Sequence, residues 1–194
     1  MNHLEGIPRQ NSLNQQTAEN LEIRNSWLLL TKDTHSLQHG GNDGYHETLG
    51  QNYRFDSTVP NSRDLTLGDR IALWNGSILL GVSRVASISA HVTQKQRHRC
   101  PDCGSTKIKP RQTRIPRYRC QSGSCNSEFD EPIHEVLTVT EYVLDYSQHW
   151  RPFGGSVSTQ EIRGLAIRPK TINSIRRLEE VKFNAFLEIH RLEI

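Results

Sequence analysis

The chain has 194 residues, enough for one ordinary domain with a small module beside it. With 34% hydrophobic residues and no apolar run approaching bilayer length it reads as a soluble protein, and its net charge of +3 is too slight to single out a partner. No apolar signal segment precedes the cysteines, so an oxidising compartment is not expected and the location reads as cytoplasmic.

In chain order, residues 1–24 are rich in Asn and Gln, lack hydrophobic periodicity, and read as a flexible tail. The run Asn25-Ser26-Trp27-Leu28-Leu29-Leu30-Thr31 reads as a buried strand. His39 to His46 is glycine-rich and reads as a surface loop or a loop around a ligand. Asn52–Phe55 and Val59–Ser62 read as extended and irregular. Leu67–Trp74 and Ser77–Val85 flank Asn75-Gly76, the strongest short-range signal for a hairpin, and strand character continues from Ala86 to Val92.

The four cysteines then fall in one window: Cys100-Pro101-Asp102-Cys103, a spacer of sixteen residues, and Cys120 followed by Cys125. Two tight pairs joined by a longer excursion suit a closed, structural, tetrahedral zinc site, one Zn2+ standing in for a core too small to form alone; two disulfides are the alternative. From Lys95 to Arg119 the chain carries Lys95, Arg97, Arg99, Lys107, Lys109, Arg111, Arg114, Arg117 and Arg119, opposed only by Asp102. Such a density on a braced hairpin suits the neutralisation of successive phosphates, the plain alternative being a solvated basic face. Tyr118 and Phe129 read as packing residues beside the metal. The inserted module is expected to span residues 95–133.

Beyond it, His134–Leu144 favours a strand by its β-branched content. Tyr146–Gly155 is an aromatic loop, and Ser158–Arg163 is either a short helix or a strand. Asn173–Leu187 spaces Ile175, Leu178, Val181, Phe183, Phe186 and Leu187 near a helical period, with Asn173 or Ser174 as N-cap. No catalytic constellation emerges. Glu180-Val181-Lys182 has no companion Asp on a strand, and His134-Glu135 and His190 lack partners at ligand spacing. No phosphate-binding glycine loop or nucleophile elbow is present, so catalysis is not expected in this chain.

Three motifs in order, Asn25-Ser26-Trp27-Leu28-Leu29, then Gly68-Asp69-Arg70-Ile71-Ala72-Leu73-Trp74 turning into Gly81-Val82-Ser83-Arg84-Val85, and a closing Asn173-Ser174-Ile175-Arg176-Arg177-Leu178 with Phe183, Phe186 and Leu187, resemble the PUA-like superfamily. Within it they are most similar to EVE and YTH-type modules, over most of residues 25–187 apart from the ribbon. The resemblance implies a mostly β (α+β) fold: a PUA-like β-barrel with flanking helices, here interrupted by a four-cysteine zinc ribbon that such compact modules lack. It also implies a reader of 5-methyl- or 5-hydroxymethylcytosine in duplex DNA, in the bacterial nucleoid, that flips the base into an aromatic pocket and targets a modification-dependent restriction nuclease whose catalytic part lies elsewhere. Trp27 and Trp74 match family aromatics near the pocket, with Asn25 and Ser26 as polar contacts. Tyr45, His46, Tyr53, Trp150 and Phe153 join them as loop aromatics, and Arg84 joins the basic residues as a backbone contact. A YTH-like RNA reader and a ribbon that binds a partner protein remain alternative readings.

Overall fold

The structure, a computed structural model, describes residues 25–31 and 45–194. In chain order its strands are β1 (Ser26–Leu30), β2 (Asn52–Asp56), β3 (Arg70–Trp74), β4 (Leu79–Arg84), β5 (Ser87–Arg99), β6 (Ile108–Pro110), β7 (Tyr118–Cys120), β8 (Glu128–Phe129), β9 (Ile133–Asp145), β10 (Arg151–Pro152) and β11 (Ile175–Arg177). A 3-10 turn at Ser147–His149 and two helices, α1 (Thr159–Gly164) and α2 (Glu180–Ile189), complete the described elements. The expected tail lies outside the described residues, as does the glycine-rich stretch before Tyr45.

Continuous apolar runs in β1 and β3 dictate burial on both faces, and these strands occupy the middle of a five-stranded sheet ordered β10-β4-β3-β1-β11. β1 runs parallel to β3 and antiparallel to β11. Alternation along these strands separates two cores. Leu28, Ala72, Trp74 and Val82 face Ile162 of α1 and Phe183, Phe186 and Leu187 of α2. Trp27, Leu29, Ile71 and Leu73 face Tyr53, Phe55 and Leu144 of a second sheet, ordered β2-β9-β5. Helices, central sheet and outer sheet therefore form three layers, with each fully buried Leu or Ile contributing about 1.5–3 kcal/mol.

The mostly β character expected from the sequence holds. The strands, however, form separate open sheets and not a closed barrel. The reason is visible in β5 and β9, which pair continuously from Ser87↔Asp145 to Arg99↔Ile133. β2 covers β9 only from Asp145 to Glu141, so beyond that point β5 and β9 project as a two-stranded arm. The third sheet, β6-β7-β8, sits at the tip of this arm with a core of its own, built from Ile108, Phe129, Cys100 and Cys120.

The Asn75-Gly76 hairpin forms as expected between β3 and β4. Asn75 accepts backbone N–H bonds from Ser77 and Ile78, and Gly76 adopts φ 99°, where a Cβ would be strained. Ser158–Arg163 resolves as helix because Ser158 and Glu161 form a reciprocal capping box. The long closing helix is corrected: Ile175–Arg177 is a strand, α2 begins only at Glu180, and its N-cap is Glu179, not Asn173 or Ser174. Pairing with β1 claims Ile175, and Val181, which the helical period would bury, stands 74% exposed.

Candidate metal centre and basic ribbon

Cys100 directly follows β5, Cys103 lies in the turn after it, Cys120 ends β7, and Cys125 closes a tight turn in which its N–H donates to the Ser122 carbonyl. Their four sulfurs lie within 4.8 Å of one another and form no disulfide. Cys100 Sγ is 3.8 Å from Cys125 Sγ, and Cys103 Sγ is 3.6 Å from Cys120 Sγ. Tetrahedral sulfurs on bonds of about 2.3 Å would stand about 3.8 Å apart, so the set is spaced to hold one metal ion. Backbone N–H groups face three of the sulfurs: those of Asp102 and Cys103 face Cys100, that of Ser127 faces Cys125, and the Ser122 N–H donates to Cys120 Sγ at 3.4 Å. Burial opposes ionisation of Cys100, but the N–H groups of Cys103 and Asp102 outweigh it and hold the thiol below its ordinary range. Burial pushes Cys120 up to about 12. Thiols this close cannot all ionise unless a cation joins them. Tyr118 stacks on Phe129, with centroids 5.9 Å apart, beside the cluster.

The basic residues divide into two groups. Lys95 bonds to buried Asp56 at 2.7 Å and lies over the Tyr45 ring; Arg97 and Arg99 both pair with Glu135; Arg111 pairs with Glu128. Arg84 donates to the Ile194 carbonyl oxygen at 2.7 Å. These five are committed within the chain. Lys107, Lys109, Arg114, Arg117 and Arg119 are exposed, and among the described residues no carboxylate pairs with their side chains. Lys109 and Arg119 sit directly opposite each other on β6 and β7, so the outer face of the small sheet carries them side by side. Glu128, Asp130 and Glu131, just beyond the basic window, temper this charge.

Most of the expected pocket residues are not brought together. Trp27 and Trp74 are each 2% exposed and lie in the two different cores. Trp27 Nε1 donates to buried Asp69 at 2.8 Å, and the Arg176 guanidinium lies over the Trp74 ring. Ser26 is buried against Arg70 and Glu180, and the Asn25 carbonyl accepts from the Arg70 N–H. Glu180 therefore serves the fold through its ion pair with Arg70. Tyr53 is buried and donates to the Leu30 carbonyl. Trp150 packs against Tyr146, and its ring lies where a Cβ on Gly81 would intrude. Phe153 packs on Phe186 and His190.

Tyr45 and His46 do share a concavity. It measures about 520 Å³ and is also lined by Thr31, Glu47, Asn52 and Asn75. Burial raises Glu47 to about 7, against the opposing pull of its bonds from the Thr31 hydroxyl and the Arg54 N–H. Near neutral pH this carboxyl can therefore both donate and accept a hydrogen bond. Nothing in the sequence marks Glu47, Asn52 or Asn75 as site residues, and Asn75 is notable there only for its turn; their significance comes from their convergence.

Comparison with known families, curated proteins and solved structures yields no match. Among the described residues, no helix is long and apolar enough to cross a membrane.

Proposed function

We propose that this chain is a nucleic-acid-binding module whose ribbon, braced by one structural Zn2+, grips phosphates. The observation that carries this reading is the set of five exposed cations, without a carboxylate partner among the described residues, on a ribbon held out at the end of a two-stranded arm. A zinc-locked sheet keeps such charges in fixed register, which limits the ordering cost of placing them along a backbone. Zinc suits an all-cysteine set with no place for a water ligand.

Duplex DNA carrying 5-methyl- or 5-hydroxymethylcytosine is the proposed target, following the likeness to EVE-type readers. With Trp27 and Trp74 committed to the cores, the reading site is assigned to the concavity of Tyr45, His46, Glu47, Asn52 and Asn75. Its volume lies within the range of about 300–1,000 Å³ usual for small-molecule sites. Stacking on Tyr45 or His46 and edge bonds to Glu47 and the two amides would offset the few kcal/mol of base extrusion. The test is fluorescence anisotropy with matched short duplexes bearing plain, methylated, hydroxymethylated or glucosylated cytosine, plus an RNA competitor, at one salt concentration. A preference for one modified duplex that Asn52→Ala abolishes is the expected result. Equal affinities across the panel would remove modified-base reading, and displacement by RNA alone would transfer the module to RNA.

A further inference from the structure

The turn after β2, the loop before β11 and β11 itself build a second concavity, of about 320 Å³, lined by Ile167 and by the polar residues Asn61, Arg168, Thr171, Asn173, Arg176 and Arg177. Its chemistry is one-sided. Arg176 is 4% exposed, its Nε donates to the Asn173 carbonyl at 2.7 Å, and its Nη1 is buried without a hydrogen-bond partner. Among the described residues no carboxylate pairs with Arg168, Arg176, Arg177 or nearby Arg163. Burial, and after it the charge of Arg163, lowers the Arg176 pKa, yet a guanidinium does not lose its proton in a protein. The Trp74 ring beneath it, 5.1 Å from the guanidinium carbon, supplies partial compensation only. A buried, unpaired charge is among the costliest features a fold can carry, and it points to a counter-ion from outside the chain.

We propose that this concavity binds a phosphoryl oxyanion, with Arg176 at its buried end and Arg168 and Arg177 at its exposed rim. Three arginines lining one concavity suit a group with several charged oxygens better than a single carboxylate, and their planar forks match phosphate edges. The site is separate from both the ribbon and the Tyr45 concavity, and it does not depend on modified-base reading. A free phosphate, a nucleotide and a nucleic-acid backbone all present the same group.

The contact between Arg176 and Trp74 provides a readout. In the 15N-labelled full chain the three tryptophans give three indole N–H resonances, and Trp74→Phe assigns that of Trp74. Inorganic phosphate, deoxycytidine 5′-monophosphate and an unmodified duplex without terminal phosphates are titrated at constant ionic strength. Saturable movement of the Trp74 resonance by at least one probe is expected, at least tenfold weaker in Arg168→Ala/Arg177→Ala, whose sites are exposed, and unchanged for free phosphate in Lys109→Ala/Arg119→Ala. Response to the first two probes names a free phosphate or nucleotide as ligand, and response to the duplex alone names a backbone phosphate. A silent Trp74 resonance with every probe, or a response that survives the rim variant, overturns the proposal.

Discussion

Glu47 shows how a single side chain carries information that its sequence position does not. Its carboxyl is partly buried, and the fold favours the protonated form up to a pH of about 7. A carboxylate pKa raised on folding means that ionisation costs the folded state: the penalty is absent below the unfolded value of about 4.3 and complete above about 7. Stability should therefore fall across that window. Glu47→Gln, whose amide oxygen can accept from the Arg54 N–H while its NH2 donates to the Thr31 hydroxyl, should remove this contribution and stabilise the protein at pH 8 by on the order of 1–3 kcal/mol, with little change at pH 4.5. Urea unfolding at the two pH values checks this. Asp56 shows the opposite balance. Burial opposes its charge, but donors from Lys95, Thr58 and Tyr45 win and hold it below the usual carboxylate range. A destabilising acid in a concavity, beside a fully satisfied one nearby, is what distinguishes a candidate site from structural polar wiring.

At the scale of elements, the ribbon is a fold within a fold. Its own core comprises Cys100, Ile108, Cys120 and Phe129, with Tyr118 and Cys125 packed against it, so few groups that the proposed metal is expected to be needed to order this sheet. Chelation, or Cys120→Ser, should abolish a metal content of one ion per chain and collapse the dispersed amide resonances of residues 100–130. The Trp27 and Trp74 indole signals, lodged in the two main cores, should persist; elemental analysis and 15N spectra check both. The four cysteines were legible because ligand chemistry demands particular residues at short spacing. The closing segment was misread for a complementary reason: Ile175, Leu178, Phe183 and Phe186 fit a helical period by chance, since the first two are buried through the strand β11 and the residues just after it.

For the whole molecule, the arm decides how far the basic surface stands from the cores. Unpaired charges matter to salt dependence, and paired ones do not. If all five free cations of the ribbon meet phosphates, log Kd should change with log salt by a slope of about 4 to 5, and Lys109→Ala/Arg119→Ala should reduce it by about 2. Lys95→Ala should leave the slope nearly unchanged, because Lys95 is consumed by Asp56. Titrations at three or more salt concentrations distinguish these cases. By itself the sequence determined the cysteine cluster that could hold a metal ion, the β-rich character and the Asn75-Gly76 hairpin, because each follows from local spacing or turn chemistry. Only the tertiary structure decided which aromatics are core, which arginines are already paired, that the sheets stay open, and that Arg176 lies buried without a counter-ion among the described residues. Those properties arise from residues distant in sequence, whose meeting no local pattern encodes.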